Sequence, residues 1–228
     1  MPDPTLPLIA LDGPAAVGKS STAKAVAQVL GWSYLDTGAM YRATALALLR
    51  AKVPLEDPSG LDDVLATLAI RLVGSQTYLG EEDVTSYLRT PELAHQVSAV
   101  AANARVREVL VTQQRSLAGA GGWIVDGRDI GTTVFPDACC KIFLTASLAA
   151  RTQRRWRQLQ AKGDPQTLEA VGAELQRRDL GVTTRAVAPL RKAADAVTLD
   201  SSAIAQDQVV AWIVAHHRSH VASVGRSE

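Results

Sequence analysis

Eight residues near the start of the chain, Gly13-Pro14-Ala15-Ala16-Val17-Gly18-Lys19-Ser20, have the spacing G-x-x-x-x-G-K-[ST]. That spacing cradles phosphate. The two glycines permit backbone angles that turn amide N–H groups inward. An amphipathic stretch follows, so the positive end of a helix dipole faces the same point. Lys19 can reach the β and γ phosphates of a bound nucleotide, and the hydroxyl of Ser20, with Ser21 beside it, suits Mg2+ and its phosphates. The loop alone predicts a bound nucleoside triphosphate. Kinases, switch GTPases, motor ATPases and non-catalytic binders all share that property.

Two further constellations narrow the choice. In Asp36-Thr37-Gly38-Ala39-Met40-Tyr41-Arg42, Thr37 can bond a phosphate, Arg42 can pair with one bidentately, and Tyr41 offers an aromatic wall. In Val125-Asp126-Gly127-Arg128-Asp129-Ile130-Gly131, two carboxylates flank an arginine. Asp126 is placed to hold Mg2+ through water, and Arg128 is a candidate phosphate clamp. A structural salt-bridge network is the competing reading of that motif. Arg151, Arg154 and Arg155 stand at i, i+3 and i+4, on one helix face. Cations on a closing segment are what a phosphoryl-transfer transition state needs, although an exposed basic face reads the same way. A guanine-reading N-K-x-D is excluded, because Asn103 is the sole asparagine. Two phosphate sites and an arginine-rich flap together predict transfer from ATP to a phosphorylated acceptor.

These motifs need a frame. Short, nearly continuous apolar runs at 8–12, 32–36, 123–126, 141–145 and 196–200 read as strands buried on both faces of a parallel sheet, and four of the five end in Asp. Ligands of such sheets lie at the carboxyl ends of strands. Helical periodicity follows at Ala23, Val26, Ala27 and Leu30, then at Val106, Val109, Leu110 and Leu117 within about 105–117, and last at Val210, Ile213 and Val214. The alternation predicts an α/β domain. Two segments interrupt it. Short strands at 69–73, 77–79 and 83–85, followed by a helix with Thr90 as N-cap and Pro91 in its first turn, suggest an inserted subdomain. The polar, arginine-rich stretch 151–191, broken at Lys162-Gly163-Asp164-Pro165, suggests a helical lid, and 219–228 a frayed tail.

Composition bounds the rest. The 228 residues are 47% apolar and 21% charged, and 24 Lys and Arg against 23 Asp and Glu leave a net charge of +1. Such balance predicts neither nucleic-acid nor membrane binding. The adjacent Cys139 and Cys140, with no metal-binding spacing, predict a reduced, cytoplasmic protein.

The chain resembles bacterial cytidylate kinase, a branch of the adenylate-kinase-like nucleoside monophosphate kinases, from about residue 8 to 213. The resemblance is carried by GPAAVGKSS, LDTGAMYR, LRTPELAHQVSAVAANARVREVL, VDGRDIGTTVFPDACCKIFLTAS and TRAVAPLRKAADAVTLD. It implies a P-loop NTPase fold: a five-stranded parallel sheet flanked by helices, an inserted monophosphate-binding subdomain at about 61–103 and a helical lid at about 151–191. The core would then comprise about 6–60, 104–150 and 192–218. It implies transfer of the γ-phosphoryl group of ATP, with Mg2+, to CMP or dCMP by a monomer. By resemblance, Thr37, Arg42, Arg128 and Arg185 hold the acceptor phosphate. Ser98, Arg107 and Asp129 read the cytosine edge, and Arg178 contacts the sugar. In the family a carboxylate three residues before the arginine matching Arg185 binds the sugar hydroxyls. Here that residue is Val182. Either Asp179 or a neighbouring threonine replaces it, or discrimination between ribose and deoxyribose is weaker; we expect the latter.

Overall fold

The computed structural model describes residues 7–224. In chain order the elements are β1 (Leu8–Asp12), α1 (Lys19–Leu30), β2 (Ser33–Asp36), α2 (Thr37–Ala51), α3 (Pro58–Ala66), β3 (Ile70–Val73), β4 (Gln76–Leu79), β5 (Glu82–Asp83), α4 (Pro91–Ala102), α5 (Ala104–Ala118), β6 (Trp123–Gly127), β7 (Cys140–Thr145), α6 (Leu148–Gln160), α7 (Leu168–Thr184), β8 (Val197–Asp200) and α8 (Gln206–Val224). A 3-10 turn spans Tyr87–Arg89 and a π-helical turn Ile130–Val134. No helix is long and apolar enough to cross a membrane among the described residues.

The chain divides into two compact units, residues 1–34 with 118–228 and residues 35–117. The first is built on a five-stranded sheet in the order β2-β6-β1-β7-β8. β1 runs parallel to β6 and β7, and β7 parallel to β8. All five residues of β1 are buried, which is why its sequence is a continuous apolar run ending in one acid. Ile9, Leu11, Ile124, Ile142 and Leu144 of the sheet pack with Val26 and Ala27 of α1 and with Val210 and Ile213 of α8. α1 stops at Gly31, where Trp32 N donates to Ala27 O at 2.8 Å. α8 continues through part of the expected frayed tail to Val224, since nothing in Ser219-His220-Val221-Ala222-Ser223 breaks a helix; residues 225–228 lie outside the described residues. The expected break at 162–165 falls between α6 and α7. Each of those helices is capped by its own hydroxyl, Ser147 accepting from Ala150 N and Thr167 from Ala170 N.

The second unit holds α2, α3, α4 and nearly all of α5, with an antiparallel three-stranded sheet in the order β3-β4-β5. The third of these strands covers Glu82–Asp83, one residue earlier than expected and shorter. The Asp83 side chain accepts from Thr85 N at 2.9 Å, closing a local turn that ends the strand. Thr90 is the N-cap of α4, but its hydroxyl donates to Tyr87 O at 3.2 Å and makes no cap bond.

Candidate active site

The phosphate loop follows β1 directly, and α1 begins at Lys19. Gly13 has φ +152°, and a Cβ there would stand 2.0 Å from the backbone oxygen of Leu144. Gly18, the N-cap of α1, has φ +98°. Ala16 adopts φ +58° without being glycine, a strain that loops serving ligands commonly hold. Ala15 and Val17 are buried, Pro14 and Ala16 partly so, and Ser20 and Ser21 are exposed. Lys19 is buried, and its Nζ donates to Gly13 O and Pro14 O, both at 2.8 Å. Ser21 Oγ donates to Gly18 O at 2.9 Å.

Beside the loop, at the carboxyl end of β6, Asp126 is buried. Its Oδ2 accepts from Ser20 Oγ at 2.7 Å and its Oδ1 from Tyr34 OH at 3.1 Å. A carboxylate and a hydroxyl in contact are hard oxygen donors, which fits Mg2+. Arg128 Nη1 donates to Gly13 O at 2.6 Å and Pro14 O at 3.3 Å. Burial, then the repulsion of Arg178, lowers its pKa to about 10. A guanidinium held by neutral carbonyls in such surroundings favours an anion beside it.

Sequence reasoning gave Asp12 no role, yet it organises this motif. It is buried, its Oδ1 accepts from Ile130 N and its Oδ2 from Gly131 N, both at 2.8 Å. The acid that precedes Gly13 therefore fixes the backbone that follows Arg128 and Asp129. Desolvation raises its pKa to about 6 despite the two amides. The signal available in the sequence was its place at a strand end.

Asp129 is buried, and Arg185 Nη2 approaches its Oδ1 at 3.9 Å while Arg185 Nε donates to Ala188 O at 2.6 Å. Arg178 is exposed and lies 3.6 Å from Glu174 on the same helix. The three arginines of α6 part company. Arg151 is buried, and its Nε donates to Ala146 O and its Nη1 to Ala15 O of the loop, at 3.0 and 3.2 Å. The Arg154 guanidinium bonds Ser201 Oγ at 3.1 Å and Ser201 O, just past the end of β8. Arg155 is partly buried, with no ion pair among the described residues.

The second unit carries its own set. Asp36 caps α2 by accepting from Ala39 N at 2.8 Å, and its other oxygen takes Arg42 Nη2 at 3.1 Å. Asp36 therefore aims Arg42, whose buried Nε has no partner among the described residues. Gly38 leaves room for this, since a Cβ would meet Arg42 Nη1 at 3.0 Å. Thr37 is buried in the first turn of α2. Arg107 is buried and donates to Tyr41 OH at 3.1 Å, with its guanidinium 5.8 Å from the ring centre. Ser98 is exposed on α4.

A parallel sheet whose first strand runs into such a cradle, with an acid on the adjacent strand paired to the loop serine, defines the P-loop NTPase fold. A sequence profile of cytidylate kinase matches residues 9–219. The chain is 44% identical over 212 residues to the cytidylate kinase of Ralstonia pickettii, covering 93% of this chain and 92% of that one. It is 46% identical over 207 residues to the cytidylate kinase of Exiguobacterium sibiricum, covering 89% and 93%. The chain belongs to the cytidylate kinase family. A solved structure of an uncharacterized protein from Eubacterium ventriosum shares the fold, with a TM-score of 0.53 at 11% identity over 93% of this chain and 98% of that one.

Proposed function

We propose that this chain transfers the γ-phosphoryl group of ATP to CMP or dCMP, giving ADP and CDP or dCDP. The observation that carries the reading is the conjunction of the Lys19 and Ser20 cradle, paired with Asp126, and family membership over 9–219. Lys19 and the loop amides, with Arg151, hold the donor phosphates. Mg2+ would be held by Ser20 and, through water, by Asp126, and would neutralise charge on the donor phosphates. Arg42, Arg128 and Arg185, with Thr37, hold the acceptor phosphate. Its oxygen is already ionised and attacks the γ-phosphorus in line, so no general base is required. Arg42 supports this role with a buried Nε that has no partner among the described residues. Asp129 and Arg107 suit an amino donor with neighbouring ring acceptors, Ser98 is a further candidate for reading the base, Tyr41 offers an aromatic wall, and Arg178 is left for the sugar. In this reading the protein acts in the cytoplasm and as a monomer.

A coupled ADP-release assay over CMP, dCMP, UMP, AMP and shikimate tests the reading. Turnover is expected with the two cytidylates and is lost when Mg2+ is chelated. Preference for another acceptor overturns it. Asp126→Asn is expected to raise the Mg2+ concentration needed for half-maximal rate by about ten- to a hundredfold, since one charge-assisted contact is worth roughly 1.5–3 kcal/mol.

Val182 bears on the sugar. Its backbone oxygen accepts from Leu190 N at 2.9 Å, and its side chain has no acceptor. Thr183 donates to Asp179 O and Leu180 O, and Thr184 to Leu180 O, so both threonines are turned back on their own helix. Asp179 is engaged by Ala15 N and Arg151. Neither threonine supplies the charge of the family's carboxylate, and kcat/KM for CMP is expected to exceed that for dCMP by less than about tenfold. A ratio above one hundred contradicts this.

A further inference from the structure

Asp179 lies on α7, far in sequence from the phosphate loop, yet it meets that loop with both oxygens. Its Oδ1 accepts from the Ala15 amide at 3.3 Å. Its Oδ2 accepts from Arg151 Nη1 at 2.5 Å, and the same nitrogen donates to Ala15 O at 3.2 Å. Carboxylate, guanidinium and the Ala15 peptide groups thus form one connected set. The contact is not a single side chain reaching across. Leu159 of α6 and Val171 and Leu175 of α7 form a buried apolar cluster with Ala15, and Ala16, Leu148 and Trp156 pack against it. The two helices are seated on the loop.

A loop amide and a buried arginine are the donors that an anionic phosphate oxygen takes. A carboxylate oxygen uses the same donors in the same way: the Ala15 amide has one hydrogen to give, and both hydrogens of Arg151 Nη1 are taken, by Ala15 O and Asp179 Oδ2. The two members of the pair are not equally fixed. Arg151 has 8% of its side chain exposed and is anchored through Nε to Ala146 O. Asp179 has 20% exposed and no second anchor beyond the loop and the arginine. Water can receive a displaced Asp179, whereas Arg151 is held where it is.

We propose that Asp179 is an internal competitor for the donor's phosphates: it occupies the Ala15 amide and Arg151 and must be displaced when ATP binds. The proposal rests on the reading of ATP as donor and adds a determinant of its affinity. Bound to the loop, Asp179 lowers the fraction of molecules ready for the nucleotide, and the apparent affinity falls by that fraction. It also makes the seating of α6 and α7 on the loop depend on which anion the loop holds.

Calorimetric titration with the β,γ-imido analogue of ATP and Mg2+, without acceptor, tests this on the full chain. Asp179→Ala is expected to tighten the analogue about five- to tenfold, and Asp179→Asn, which keeps an oxygen for Ala15 N but loses the charge, about two- to threefold. Arg151→Ala is expected to weaken it. Thermal unfolding of each variant within a few degrees of the parent shows that the fold is kept. If Asp179 instead holds Arg151 in place for phosphate, Asp179→Ala weakens the analogue as Arg151→Ala does, and the proposal is overturned; unchanged affinity overturns it too. A parent protein that neither binds the analogue nor consumes ATP overturns the donor reading and this proposal together. A parent that does both, with Asp179→Ala no tighter, overturns this proposal alone.

Discussion

Replacing Arg128 with alanine is expected to lower kcat/KM by about three orders of magnitude and to leave the unfolding midpoint nearly unchanged. The catalytic half of this expectation follows from phosphoryl transfer, where a single arginine on the transferring or accepting phosphate is worth roughly 10³ to 10⁵ in rate. The stability half follows from who else bonds the same atoms. Arg128 donates to Gly13 O and Pro14 O, and Lys19 Nζ donates to both at 2.8 Å. Removing Arg128 leaves neither carbonyl without a donor. Its charge is also disfavoured where it sits, since burial and Arg178 pull its pKa to about 10. The variant is expected to lie within about 1 kcal/mol of the parent in denaturant titration. Near-normal turnover removes Arg128 from the mechanism. A large loss of stability makes its role structural, as the salt-bridge reading of the motif had it.

Gly13→Ala is expected to do the opposite and cost the fold first. The added Cβ would stand 2.0 Å from Leu144 O and 3.1 Å from Leu144 C. Both are backbone atoms of β7, which pairs with β1 from Ile9↔Cys140 to Asp12↔Phe143. No side chain can swing away to relieve the contact, and φ of +152° is itself unfavourable for alanine. We expect at least about 3 kcal/mol of destabilisation by urea titration, with activity lost as the loop is displaced. A loss under about 1 kcal/mol shows that the loop does not run this close to β7.

How much of this was written in the sequence depends on the range of the interaction. The central strand could be read because burial on both faces leaves an uninterrupted apolar run, Leu8-Ile9-Ala10-Leu11; the edge strands β2 and β8 depart from the expected two-sided burial, each having a single buried residue, because a sheet edge is covered less completely. The phosphate loop could be read because its chemistry demands fixed residue types within eight positions. The strand order β2-β6-β1-β7-β8 could not, because periodicity says which face is buried and not which strand lies beside it. Side-chain partners across long separations were equally hidden. Asp12 looked like any strand-end acid until its contacts with Ile130 and Gly131, more than a hundred residues away, were seen. Arg151 and Arg154 are equivalent by helical spacing, yet one is bound by Ala15 and Asp179 and the other by Ser201. Their fates are decided by neighbours brought up by tertiary packing. The π-helical turn at Ile130–Val134 was also missed, having no sequence period of its own.

The burial of Asp12 sets stability against catalytic service. Its pKa is about 6 in the folded protein against an ordinary 3.8, so the folded chain holds the proton more tightly than the unfolded one. The stability linked to this group is fully present below about pH 3.8 and is lost as pH rises through about 6, a difference on the order of 2–3 kcal/mol. At neutral pH the charged acid is therefore a burden on folding, carried at the residue that holds the Arg128 motif in register with the loop. An engineer seeking a hardier enzyme by neutralising buried charge would choose Asp12 early, and would trade away the alignment on which activity depends.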